Sequence, residues 1–197
     1  MPGLLIAFEG LDQSGKETQA HRLAERLAAF GHRVRLASFP DYSTPIGREI
    51  GRALRDEHEY AADVMQLLYI ANRYERKPEL AAWLATGDIV LCDRYVASSV
   101  AYGETQGLDT AWLADTQRHL PQPDLTILLD IAPATAVARK ALGRDRYERD
   151  LALLTRARES YRRQADAQGW TRLDGERGKD DLAAAVFEVV AGRLSLK

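Results

Sequence analysis

The amino-acid sequence predicts an α/β fold, a five-stranded parallel sheet between two layers of helices, and three observations carry that prediction. Short apolar runs alternate with longer segments of helical period. Most of the runs are nearly unbroken in apolar residues, as strands covered on both faces must be. Glycines stand where the helical segments should stop, at Gly31, Gly87 and Gly169.

Taken in order, the predicted strands are Leu4 to Phe8, Val34 to Ala37, Ile89 to Cys92, Leu125 to Leu129 and, more weakly patterned, Trp170 to Leu173. Helical periodicity covers Lys16 to Phe30, Thr44 to Arg55, Ala61 to Ala85, Thr110 to Leu120, Ala134 to Leu142, Glu148 to Gln168 and Asp180 to Arg193. Pro78 falls inside the third helix, where a kink or a restart is expected because proline removes a helical N–H. Residues 139–150 stand apart. They carry Arg139, Lys140, Arg144, Arg146 and Arg149 without a matching apolar face, which reads as a short mobile basic loop.

Composition bounds the function. A chain of 197 residues with 28% charged and 46% hydrophobic residues is ordinary globular material, read here as one domain over 1–197. A net charge of -2 provides no field to recruit nucleic acid, so an anionic ligand needs a local cluster of Arg and Lys. Cys92 is the single cysteine, which excludes a disulfide framework and a thiolate metal site and suits a reducing cytoplasm. The apolar start, Leu4 to Phe8, is far short of the ~20 residues that span a bilayer. His21, His32, His58 and His119 show no metal-ligand spacing.

Chemistry enters at Phe8-Glu9-Gly10-Leu11-Asp12-Gln13-Ser14-Gly15-Lys16-Glu17-Thr18. The spacing Gly10 to Gly15-Lys16, between a strand and an amphipathic helix, is that of a phosphate-binding P-loop. Gly10 and Gly15 let the backbone wrap with N–H groups inward, along Gln13 and Ser14, and the helix dipole adds to the field. Lys16 reaches the β and γ phosphates of a bound nucleotide. One position departs from the pattern: Glu17 stands where Ser or Thr would bind Mg²⁺, and Thr18, rotated by about 100°, meets a phosphate sooner than that metal position.

Asp93-Arg94 ends the third strand, at the carboxyl edge where open α/β sheets collect ligands. Asp93 can hold Mg²⁺ directly or through water, and Arg94 can fork onto an acceptor phosphate. The bland alternative is a structural ion pair. On the third helix, Tyr69 and Arg73 are four apart and share a face that can stack on a base and bond its edge. Leu67, Leu68, Ala71 and Tyr74 are assigned to the packing side of that helix.

These segments, together with Phe39-Pro40-Asp41-Tyr42, Leu68-Tyr69-Ile70-Ala71-Asn72-Arg73, Asp93-Arg94-Tyr95 followed by Ser98-Ser99 and Tyr102, Leu120-Pro121-Gln122-Pro123-Asp124 and Arg146-Tyr147-Glu148, resemble the thymidylate kinase family from end to end. The resemblance implies a P-loop NTPase three-layer fold and phosphorylation of dTMP to dTDP by ATP with Mg²⁺. It also implies a homodimer. Tyr69 then stacks on thymine, Arg73 bonds its edge, Arg94 binds the acceptor phosphate, and Asp12 approaches the sugar or the metal. Phe39 and Tyr42 line the sugar and phosphate region, Tyr102 packs under the sugar, and Ser99 contacts the base. Tyr147 joins the substrate-binding set, and Glu148 joins Asp93, Asp12 and Glu17 as a candidate metal ligand.

Some relatives carry the catalytic arginine in the P-loop and others on a lid. Gln13 occupies the loop position here, which assigns the role to the basic stretch, to Arg144 first and then Arg146. A solvated basic loop is the competing reading. Two other functions stay open at this point: a kinase acting on another nucleotide or on a nucleoside, and a nucleotide-binding paralogue without catalysis.

Overall fold

The computed structural model describes residues 3–139 and 150–194. Five strands form one sheet: β1 (Leu4–Glu9), β2 (Val34–Ser38), β3 (Ile89–Asp93), β4 (Leu125–Asp130) and β5 (Thr171–Asp174), every pair parallel, in the spatial order β2-β3-β1-β4-β5. Between them run α1 (Lys16–Ala29), α2 (Pro45–Leu54), α3 (Ala62–Ala85), α4 (Val96–Thr105), α5 (Thr110–Asp115), α6 (Pro133–Arg139), α7 (Leu151–Gln168) and α8 (Lys179–Leu194). The fold is the predicted three-layer α/β arrangement.

Period-2 alternation along β1 divides the core. Ile6 and Phe8 face a cluster with Leu23 and Leu27 of α1 and Leu182, Val186 and Val190 of α8. Leu5 and Ala7 face the other layer, with Leu80 of α3, Phe39, Tyr95 and Leu120. These β1 side chains are at most 1% exposed, so burying each of the larger ones contributes about 1.5–3 kcal/mol. The chain runs from β3 across β1 to β4, so the carboxyl edge of β1 lies at a topological switch point, with a crevice for a ligand outside it. Phe8 pairs with Asp93, and the Arg94 N–H donates to the Phe8 carbonyl at 2.9 Å, which holds the P-loop beside Asp93-Arg94.

Several boundaries differ from expectation. The segment Val96–Thr105, for which the sequence predicts no element, is helix α4; its Ser, Gly and aromatic content hides the period, and it forms because α5 and α7 pack on it. The predicted helix Thr110 to Leu120 ends at Asp115, where the Thr116 hydroxyl bonds back to the Trp112 and Leu113 carbonyls and the chain enters turns. Pro78 causes no restart: α3 continues through it, anchored by buried Ile70 and Arg73 before the proline and Leu80 after it. Leu67, assigned to the packing side, is exposed, whereas Met65, Gln66 and Ile70 are buried. Helix α7 begins at Leu151 because the Asp150 carboxylate caps the Leu153 N–H. The expected αL glycines do follow α1, α3 and α7. No helix among the described residues is long and apolar enough to cross a membrane.

Candidate active site

The P-loop is built by backbone geometry. Gly10 has φ 138°, and a Cβ there would lie 2.4 Å from the Leu129 carbonyl oxygen of the neighbouring strand, so only glycine fits. Gly15, at φ 94°, precedes α1 as its N-cap without contributing a side-chain acceptor, which leaves first-turn N–H groups free for an anion. Ser14 and Lys16 are buried, and the Lys16 Nζ donates to the Leu11 carbonyl at 2.8 Å and lies 3.4 Å from Ser14 Oγ. Burial lowers the Lys16 ammonium to about 8, and Arg94 pushes the same way, against Asp93, Asp12 and Glu9.

Arg94 is the hub of the second half of the site. Its guanidinium donates to Asp12 at 2.7 Å, to Ser98 Oγ and the Tyr161 hydroxyl at 3.1 Å, and to the Tyr102 hydroxyl at 3.4 Å. Burial works to neutralise both partners, yet their mutual attraction and hydrogen bonds prevail: Arg94 is raised and Asp12 is held at about 2. Arg94 also has φ 62°, an uncommon backbone conformation for a non-glycine residue and one that directs its side chain from the end of β3.

Arg73 lies 3% exposed between α3 and α4, donating through Nη1 to Ser99 Oγ at 2.8 Å and to Gln117 Oε1 at 3.2 Å. Ser99, expected at a base, is thus also the acceptor that orients Arg73. Phe39 is buried against Tyr95, with ring centroids 5.6 Å apart. A cavity of about 230 Å³ is lined by Phe39, Tyr42, Gln66, Tyr69, Arg73, Ser99 and Tyr102, and also by Asp12, Asp93 and Arg94. A second, of about 480 Å³, is lined by Gln13, Ser14, Gly15, Lys16, Glu17 and Thr18, again by Asp12, Asp93 and Arg94, and by Arg139, Arg177 and Lys179. Asp12, Asp93 and Arg94 form a wall common to both.

The described sequence-predicted residues therefore line one or both of these neighbouring cavities, except Gly10, which shapes the loop from beneath. Arg144, Arg146, Tyr147 and Glu148 lie outside the described residues. Sequence reasoning missed Glu9, fully buried, which accepts from the Tyr95 N–H at 2.8 Å and from Ser98 Oγ at 2.7 Å and so fixes the turn carrying Arg94. It also missed Tyr161, whose position in the middle of α7 carries no local signal. Arg139 was read as part of the basic loop. It ends α6 and donates to the Gln13 and Gly175 carbonyls at 3.0 Å, closing a cation over the P-loop.

The family model for thymidylate kinase matches residues 8–186. This chain belongs to the thymidylate kinase family. A thymidylate kinase of Schizosaccharomyces pombe is 37% identical over 147 residues, covering 75% of this chain and 70% of the relative. The human thymidylate kinase is 38% identical over 147 residues, covering 74% and 69%. A solved thymidylate kinase from Candida albicans superposes with a TM-score of 0.83 at 28% identity, over 98% of this chain and 92% of that one. Members of the thymidylate kinase family are nucleoside monophosphate kinases.

Proposed function

We propose that this chain transfers the γ-phosphoryl group of ATP to dTMP, giving dTDP, with the larger cavity as donor site and the smaller as acceptor site. The observation that carries this reading is their common wall of Asp12, Asp93 and Arg94: two phosphorylated ligands held on either side would meet there.

The attacking oxygen belongs to an already ionised phosphate, so no general base is needed. The obstacle is repulsion between two polyanions, and the residues address it by neutralisation and alignment. Lys16 swings from the Leu11 carbonyl to the donor phosphates beside the P-loop N–H groups. Arg94 holds the acceptor phosphate, fixed from behind by Ser98 and Tyr161. Tyr69 stacks on the base, Arg73 donates to its edge, Phe39 and Tyr42 flank the sugar and phosphate, and Tyr102 closes the space beneath the sugar. Arg144 and then Arg146 remain the proposed lid cations, with Arg139 holding the P-loop where the lid segment begins.

The residues also fit a magnesium ion. Asp93 Oδ1 is buried without a hydrogen-bond partner although Asp93 lines both cavities. Asp93, with Asp12, would hold the ion, which when bound offsets negative charge on the transferring phosphoryl group. Glu17 is exposed at the first turn of α1 and can reach it only from the solvent side. Glu148 keeps its place as a further proposed ligand.

A coupled ADP-release assay across the natural deoxynucleoside and ribonucleoside monophosphates, with thymidine as the nucleoside control, tests the reading. Preferred turnover of dTMP supports it. Faster phosphorylation of thymidine, or binding of both ligands without dTDP, would overturn it in favour of a nucleoside kinase or a non-catalytic paralogue. We further propose a homodimer, measurable by sedimentation. A reducing cytoplasmic location accords with the free, buried Cys92.

A further inference from the structure

Helix α3 presents Gln66, Tyr69 and Arg73 at positions i, i+3 and i+7, one face of the helix, and all three line the acceptor cavity. Tyr69 and Arg73 carry assigned roles, whereas Gln66 does not. Its side chain is 1% exposed, and Nε2 is fully buried without a hydrogen-bond partner. Such a donor is costly to leave unmet, and a glutamine at this place is otherwise an unfavourable choice for the α3–α4 seam. The seam is tight there: a Cβ added at Gly103 of α4 would stand 3.4 Å from Gln66 Cγ. The second unmet group in the same wall is Arg73 Nε, again a donor. Arginine offers donors only, and its Nη1 is already engaged by Ser99 and Gln117. Gln66 and Arg73 thus line the cavity while their unmet N–H groups lie just beneath its surface, where a turn of the side chain would bring them to carbonyl oxygens on the ligand and oppose an exocyclic amine.

We infer that Gln66 is a specificity-determining residue of the acceptor site, its Nε2 donating a hydrogen bond to a carbonyl oxygen of a dioxopyrimidine base. The inference rests on the proposed assignment of this cavity to the nucleoside monophosphate. Empty, the site keeps the donor unmet; filled by a base with two ring carbonyls, it satisfies it. A polar group buried for a ligand lowers the stability of the free protein and raises discrimination in the complex.

The test compares the full-length protein with Gln66→Met, which keeps length and volume and removes the amide, and Gln66→Glu, which exchanges the donor for an acceptor. Equilibrium binding is measured for dTMP, 2-thio-dTMP and 4-thio-dTMP, sulfur being a weak acceptor. In Gln66→Met, dTMP affinity falls about five- to tenfold, the size of one lost hydrogen bond. The advantage of dTMP over one of the two thio analogues shrinks by a similar factor. ATP affinity stays within about twofold, and the melting temperature of the free protein holds or rises because an unmet buried donor has gone. Gln66→Glu loses more dTMP affinity than Gln66→Met. Equal loss for all three ligands, or none, would overturn the inference, since a merely structural glutamine affects them alike. If the unsubstituted protein binds no dTMP, the acceptor assignment falls and the inference with it; uniform loss on top of normal binding overturns Gln66 alone.

Discussion

Replacing Arg94 by alanine tests which ligand this residue of the common wall serves. The guanidinium can direct two N–H groups at a phosphate, each charge-assisted bond contributing about 1.5–2 kcal/mol, so losing both costs about 3–4 kcal/mol. That is roughly a 10²- to 10³-fold fall in kcat/KM for dTMP at saturating ATP. Stability suffers less. Asp12 loses its 2.7 Å partner, but its side chain is 33% exposed and can rehydrate, so the cost is about 1–2 kcal/mol, below that of a fully buried pair. A melting temperature lower by about 3–6 °C is expected. Arg94→Lys should recover part of the charge and little of the geometry, because Ser98, Tyr161, Tyr102 and Asp12 are arranged around a planar fork. The assay pairs steady-state kinetics in dTMP with calorimetric ATP titration. Equal losses of ATP affinity and turnover would refute the reasoning, since they would make Arg94 a donor-site residue.

Three further predictions follow the same physics. Burial lowers Lys16 to about 8 in the free protein, and the polyanionic phosphates of ATP would favour its protonated form. Affinity for ATP should therefore be full below pH 8 and fall up to tenfold per pH unit above it, until the higher pKa of the complex is reached; pH-independent ATP binding from 7 to 9.5 would contradict this. Glu17→Ser restores a hydroxyl beside the P-loop lysine, so the Mg²⁺ concentration for half-maximal rate should drop severalfold, with an unchanged value showing that the ion is held without that position. Gly47→Ala would set a Cβ on the Asp41 carbonyl oxygen, a backbone atom that must move, so the loop carrying Phe39 and Tyr42 shifts. The KM for dTMP should then rise while ATP affinity is kept, and a variant with unaltered KM would argue against that loop's role at the acceptor.

Residues adjacent in sequence carried the legible part of the site. The run Gly10 to Lys16 specifies its own shape through positive φ, a following helix and one lysine, and it needs no distant partner to be recognised. The strands were readable for a related reason: burial on both faces demands nearly unbroken apolar runs within Leu4–Glu9, Ile89–Asp93 and Leu125–Asp130. Helix α4 was not, because its stability comes from contacts with α5 and α7 and its own residues show little helical period. The end of α5 was likewise decided by a side chain bonding back to the backbone at Thr116.

Sequence by itself determined the α/β class, the phosphate loop and the departure at Glu17, since each is a local property of composition or spacing. Only the tertiary structure decided that Asp12, Asp93 and Arg94 stand between two cavities, that Glu9 fixes the turn carrying Arg94, that Arg139 closes on Gln13, and that Gln66 is buried beside Arg73 with a donor unmet. The physical reason is that these facts depend on parallel pairing of β1 with β3 and β4 and on the packing of α3 against α4. Both join residues tens of positions apart through burial, which no local period records.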